Sequence, residues 1–175
     1  MARKTRKFRK SDYSSGDGFL TSVWGPAAWL LIHTISFNYP VSPTEEQKHQ
    51  YRDFILSLQH VLPCRYCREN LATNLKKLPL TMSHMKSRDT FSKYVYRLHE
   101  HINKMLGKPS NLTYADVRER YEHLRARCTH EQKTKKERGC TKPLYGKKSK
   151  CVIKIVPQNS PEKTFSMDKQ CLRHT

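Results

Sequence analysis

Between Trp24 and Leu124, apolar residues recur every three or four positions in blocks that end at proline or glycine, and such a pattern buries itself as a set of short amphipathic helices. Pro26 suits a first helical position, and Ala27, Leu30, Leu31, Thr34 and Phe37 then fall on one side before Tyr39-Pro40 ends the run. Thr44 with Gln47 reads as a capping box for a second helix whose stripe is Tyr51, Phe54, Ile55, Leu58, Val61 and Leu62, up to Pro63. A third helix opens at Cys64 and repeats Cys67, Leu71, Leu75 and Leu78 until Pro79 stops it. Ser87 or Asp89 caps a fourth, through Phe91, Val95, Leu98, Ile102 and Met105 or Leu106, closed by Gly107 and Pro109. Thr113 with Asp116 caps a fifth, through Val117, Tyr121 and Leu124. With no strand expected in residues 20–128, the fold class is all-α, a helical bundle.

The flanks differ in kind. Of the formal net charge of +19 over 175 residues, residues 1–10 carry +6 and residues 129–175 carry +8. Three parts are expected: a disordered basic arm over 1–19, the helical domain over 20–128, and a Lys-rich, loosely structured, Cys-containing tail over 129–175. In that tail only Val152, Ile153, Ile155 and Val156 make a β-prone run. Basic ends of this kind draw anionic partners non-specifically, without reading base sequence. No apolar run approaches the length of a membrane span, and Met1-Ala2-Arg3-Lys4 leads into charge rather than an apolar signal core. The expectation is an intracellular protein that is not secreted.

Six cysteines in such a chain point to redox or metal chemistry rather than to an extracellular disulfide framework. Pro63-Cys64-Arg65-Tyr66-Cys67 sets two sulfurs three residues apart at a helix start, where unpaired backbone N–H groups, Arg65 and Arg68 favour the thiolate. Such a pair can cycle between dithiol and disulfide. Half a zinc site is the other reading of the motif, and it makes the alternative function a basic, zinc-stapled helical module that binds nucleic acid or acidic partners. Its second ligand pair would be Cys128 with His130, or Cys140 with Cys151, neither at the usual spacing, and no metal ligand is assigned. Trp29 with His33 and His99 with Asn103 project in pairs from one face each of two helices, with Lys104 and Lys108 close by. An aromatic platform, imidazoles, an amide and ammonium groups suit an adenine ring and its pyrophosphate; the same residues also read as core histidines and a core tryptophan.

The runs Trp24-Gly-Pro-Ala-Ala-Trp29-Leu-Leu-Ile-His33, Leu62-Pro63-Cys64-Arg-Tyr-Cys67 and Leu98-His99-Glu-His-Ile102-Asn103-Lys-Met-Leu106-Gly-Lys108 resemble, in order and spacing, the Erv/ALR family of FAD-linked sulfhydryl oxidases. Within it the chain is most similar to the members encoded by large DNA viruses. The resemblance implies four bundled helices plus a short fifth, FAD held at the mouth, and homodimers packed through the first two helices. It implies a thiol oxidase that forms disulfides in protein substrates, passing electrons from Cys64 and Cys67 through FAD to molecular oxygen and giving hydrogen peroxide. Cys67 is implied beside the isoalloxazine and Cys64 toward the incoming thiol. Trp29, His33, His99, Asn103 and Lys108 are implied against the cofactor, with Tyr121 completing the adenine pocket. Cys140, Cys151 and Cys171 stand either as candidate electron shuttles or as adventitious or mutually paired tail cysteines, none being assigned as the shuttle, and Cys128 as a structural cysteine. The expected setting is a viral protein in host cytoplasm or the virion. Glu100 stands where the family usually has Asn, and Tyr94 where it has Trp. Tyr96 and Thr113 take the approximate places of a structural disulfide found in cellular members.

Overall fold

Local capping decides where most of the helices begin. Numbered in chain order, these are α1 (Lys10–Tyr13), α2 (Thr21–Asn38), α3 (Glu45–Val61), α4 (Arg65–Lys77), α5 (Arg88–Met105) and α6 (Tyr114–Glu122), with a 3-10 turn at Met82–Met85. At α3 the Gln47 N–H donates to Thr44 Oγ1 at 3.2 Å and the Gln47 side chain answers the Thr44 N–H, so the expected capping box closes. Ser87 Oγ accepts from the Thr90 N–H at the start of α5, and Thr113 and Asp116 exchange side-chain bonds at the start of α6. The computed structural model describes residues 9–134, 137–144, 151–153, 161 and 165–167. The chain divides into two units, Met1–Tyr121 and Glu122–Thr175.

In the first unit α2 packs on α5 and α3 on α4, around Ile32, Ile55, Leu71, Leu75, Phe91, Val95 and Leu98. The stripes read from the sequence for α3, α4 and α5 supply that core except near their ends, where Val61, Met105 and Leu106 are exposed. Of the stripe read for α2 only Phe37 is buried: Ala27, Leu30, Leu31 and Thr34 face outward, Leu30 and Leu31 being 51% and 56% exposed, while Gly25, Ile32, His33 and Ser36 are buried with Phe37. This helix is apolar on two sides, and hydrogen bonds let the polar members of the inner face be buried, Ser36 Oγ donating to the His33 carbonyl at 2.8 Å. Periodicity alone could not rank the two faces. At the end of α2 Tyr39 is fully enclosed, its Oη donating to the Met85 carbonyl and its own carbonyl accepting from Arg88 Nε.

Two family departures acquire local explanations. Tyr94 is buried in α5 with its Oη donating to the Leu78 carbonyl at 2.8 Å, and burial pushes its phenol well above the ordinary tyrosine range. Tyr96 Oη donates to the Leu112 carbonyl at 2.7 Å, next to Thr113. A hydrogen bond therefore joins the two segments that the resemblance links by a disulfide in cellular members.

The arm and the tail each hold short stretches of regular structure. Residues 1–8 lie outside the described residues, but the rest of the supposed arm is not without structure: Lys10–Tyr13 forms one helical turn and Gly18 makes a β-bridge with Cys64. In the second unit β1 (Ala126–Thr134) pairs antiparallel with β2 (Glu137–Pro143), and β3 (Cys151–Ile153) pairs antiparallel with β4 (Phe165–Met167). The ladder of β1 and β2 runs through Lys-, Arg- and Glu-rich sequence with irregular register and lacks the apolar alternation that would have announced it. Ile155 and Val156 of the β-prone run lie outside the described residues.

Candidate functional site

Cys64 and Cys67 form a disulfide at the start of α4, with Cα atoms 5.1 Å apart. Cys64 is the N-cap of that helix, and its sulfur accepts from the Cys67 N–H at 3.2 Å, the orphan donor that any helix offers in its first turn. Zinc binding would need both sulfurs as separate thiolates, whereas here they are joined. Among the described residues no group of three or more His, Cys, Asp or Glu side chains could hold a metal ion. The arginines contribute differently from the expectation. Arg65 pairs with Asp17 at 3.2 Å and lies over the Tyr66 ring, and Arg68 donates to the Leu62 carbonyl at 2.6 Å, so neither guanidinium hydrogen-bonds to a sulfur.

A strap from the N-terminal segment holds the cysteine turn. Phe19 N–H donates to the Pro63 carbonyl at 2.7 Å and Arg65 N–H to the Asp17 carbonyl at 2.9 Å, on either side of the bridge between Gly18 and Cys64. Gly18 sits at φ +107°, and a Cβ there would lie 2.3 Å from the Pro63 oxygen, so only glycine brings the two backbones this close. The strap feeds directly into α2, where Trp24 Nε1 donates back to the Phe19 carbonyl at 3.1 Å and Thr21 Oγ1 lies 3.7 Å from Cys67 Sγ. This anchoring is why α2 starts five residues before Pro26.

Thr21, Gly25, Trp29 and His33 are spaced by four along α2 and therefore share one face, with Thr21 and Trp29 about 12 Å apart along the axis. At the far end of that face lies a stack of rings. Trp29 and His99 of α5 are parallel with centroids 3.8 Å apart, and His33 stacks with Tyr121 of α6 at 5.0 Å and with Phe37 at 6.3 Å. His33 Nε2 and His99 Nδ1 are 2.9 Å apart, one nitrogen donating and the other accepting. Burial, with His99 alongside, lowers the His33 pKa to about 4; burial likewise lowers His99 to about 4, against a smaller opposing pull from Glu100. Both imidazoles are neutral near pH 7. His33 is 2% exposed, and its Nδ1 is buried without a partner among the described residues.

Of the residues singled out in the sequence, Trp29, His33, His99 and Tyr121 thus come together, and Cys67 reaches their helix through Thr21. Asn103 lies one turn beyond His99, hydrogen-bonds Glu100, and accepts from the Lys108 N–H through its carbonyl at 2.8 Å. Lys108 is exposed, and neither it nor Asn103 joins the ring stack. Glu100 receives both the hydroxyl and the N–H of Ser110, which hold its carboxyl below the usual range and pin the loop that carries Lys108. The sequence reading missed Gly18, Thr21 and Gly25. Cys140 is disulfide-bonded; the side chains of Cys128 and Cys151 and the whole of Cys171 lie outside the described residues.

The face between sulfur and stack suits a flat ring system. Gly25 leaves it without a side chain, and a Cβ there would meet only the Thr21 methyl, at 3.4 Å. Large aromatic surfaces and the unpartnered His33 nitrogen lie at its end.

Comparison with known proteins agrees with this geometry. The model described as the Erv1 / Alr family matches residues 26–122. A probable FAD-linked sulfhydryl oxidase, R368, of Acanthamoeba polyphaga mimivirus is 39% identical over 99 residues, covering 57% of this chain and 68% of that one. The mitochondrial FAD-linked sulfhydryl oxidase ERV1 of Saccharomyces cerevisiae is 27% identical over 85 residues, and the match spans 43% of its length. The crystal structure of the yeast Erv1 core shares the fold, with a TM-score of 0.54 at 24% identity, over 68% of this chain and 93% of that one.

Proposed function

Because the chain belongs to the Erv1/Alr family, we propose that it is an FAD-dependent thiol oxidase that makes disulfides in protein substrates, with Cys64 and Cys67 as the redox pair. The observation that carries the reading is the disulfide at the start of α4, tied by Thr21 to the helix that bears Trp29 and His33. When bound, FAD accepts the electron pair of the reduced cysteines and gives it to molecular oxygen, yielding hydrogen peroxide.

The chain's own residues divide the remaining work. A substrate thiolate attacks Cys64, the sulfur at the helix cap, and a second substrate thiol releases the new disulfide. Trp29, His33, His99 and Tyr121 hold the cofactor through stacking and through neutral imidazole nitrogens, and Gly25, which carries no side chain, keeps that face of α2 flat between Thr21 and Trp29. Asn103 and Lys108, on the tied-back end of α5, supply an amide and an ammonium for the adenosine and phosphates.

The exposed stripe of Val23, Ala27, Leu30 and Leu31 on α2 supports a homodimer, since a patch of this kind is normally covered. Among the described residues no helix is long and apolar enough to cross a membrane. A viral source, with action in host cytoplasm, fits the mimivirus relative. Purified protein that is yellow, absorbs in the flavin bands and consumes oxygen with dithiothreitol is the expected result. A colourless, zinc-containing preparation without oxygen uptake overturns the proposal in favour of the zinc-stapled module.

A further inference from the structure

We propose that Thr21 is a further catalytic residue, whose hydroxyl stabilises the thiolate left on Cys67 when the Cys64–Cys67 disulfide is opened. The inference rests on the oxidase reading for the direction of that step and on contacts at the sulfur for the rest.

Thr21 Oγ1 lies 3.7 Å from Cys67 Sγ, between residues 46 positions apart. A threonine in a helix commonly turns its hydroxyl back onto the carbonyl four residues earlier, as Thr34 does to Leu30 at 2.7 Å and Thr73 to Glu69 at 3.0 Å. Thr21 makes no such bond and does not cap α2, whose N-cap is Leu20; among the described residues the sulfur is its hydroxyl's partner. Position is set from outside the helix, because the bridge of Gly18 to Cys64 and the bond of Phe19 to Pro63 deliver the first turn of α2 against the first turn of α4.

The two sulfurs are served unequally. Cys64 accepts the Cys67 N–H, whereas the arginines that could have faced Cys67 are engaged with Asp17 and the Leu62 carbonyl. When a substrate thiolate attacks Cys64 Sγ, a new sulfur–sulfur bond forms there, the Cys64–Cys67 bond breaks, and the electron pair of that bond stays on Cys67 Sγ. A disulfide sulfur is a poor acceptor and a thiolate a strong one, so the hydroxyl binds the product of this step more tightly than its starting state. That difference is what makes the contact catalytic rather than structural.

The test is the pH dependence of alkylation of Cys67 in the reduced full chain, with the modified peptides resolved by mass spectrometry. Thr21→Val keeps the β-branched shape and removes the hydroxyl; Cys67 alkylation near neutral pH is expected to fall about fivefold, a shift of about 0.7 pH units toward alkali. Thr21→Ser is expected to restore the wild-type profile, and Cys64 is expected to keep its own profile in both variants. An unmoved Cys67 profile in Thr21→Val, an equal displacement of Cys64 and Cys67, or no recovery with serine overturns the proposal. Oxygen uptake by the wild-type chain with dithiothreitol is read separately, so failure of the oxidase reading appears there and not in the alkylation profile.

Discussion

His33 Nε2 and His99 Nδ1 meet at 2.9 Å, joining α2 to α5 across 66 residues of sequence. Each ring also belongs to the stack, His99 against Trp29 and His33 against Tyr121, so one contact orients the imidazoles of two helices and the aromatic faces beside them. It requires at least one ring to be neutral, since one nitrogen must accept, and burial keeps both neutral near pH 7.

Acid should therefore loosen the bundle before its carboxylates titrate. Both pKa values are about 4 in the folded chain and about 6.5 when unfolded, so between these limits the unfolded chain binds more protons. The stabilising contribution is complete above about pH 6.5 and is lost as pH falls from there toward about 4. His84, also lowered, adds in the same direction. Urea midpoints measured from about pH 7 down to 4.5 should decline steadily; a flat profile in that range refutes the assignment.

Gly25 offers a test of the cofactor surface that leaves the fold intact. An alanine there sets its Cβ beside only the Thr21 methyl, at 3.4 Å, and removes the helix penalty of glycine, so the flavin-free chain should hold or gain about 0.5–1 kcal/mol. Flavin content after purification should fall. Retention of full colour would show that the rings lie elsewhere.

Substituting Gly18 by alanine should have the opposite character. Its φ of +107° and the 2.3 Å approach to the Pro63 oxygen leave no room for a Cβ, and a loss of about 3 kcal/mol, or about 10 °C in Tm, is expected. The same variant should speed reduction of the Cys64–Cys67 disulfide by dithiothreitol, since the turn is no longer clamped. A wild-type melting point argues against the strap.

Cys67→Ser should abolish oxygen uptake while leaving bound flavin, because the sulfur is needed for electron transfer and not for stacking. Visible absorbance and an oxygen electrode together decide this. Turnover that persists in the variant excludes the Cys64 and Cys67 pair as the route.

Tyr96→Phe removes the hydroxyl that reaches the Leu112 carbonyl, and should cost about 1 kcal/mol in a urea titration without altering flavin binding. No change in the midpoint would mean that the bond does not fasten α6 to α5.

What the sequence disclosed and what it hid follow from the range of the interactions involved. Thr44 with Gln47, Ser87, and Thr113 with Asp116 act within one helical turn, and each was readable as a helix start. The inner face of α2 was misread because burying His33 depends on His99, a partner on another helix, while Leu30 and Leu31 look more apolar and lie outside. Trp29, His33 and His99 stood out by helical spacing and, with Tyr121, were set at the cofactor by family resemblance; the stack they form accounts physically for that grouping. Thr21 carries no motif and Gly25 enters only within the Trp24-Gly-Pro run; their interest lies in what is next to them, namely a sulfur 46 positions from Thr21 and an absence of side chain at Gly25. Strands β1 and β2 were hidden because lysine-rich sequence leaves no alternation to detect, whereas Val152 and Ile153 of β3 were legible as a β-prone run.

The matched family region begins at residue 26, yet the backbone that clamps Cys64 runs through residues 17–19. A domain trimmed to the boundaries that homology suggests would keep Cys64, Cys67, Trp29, His33 and His99 and lose Trp24, Gly25 and the stitch beside the cysteine bond. Measurements on such a fragment would describe a slacker and chemically different thiol pair from the one the whole polypeptide presents.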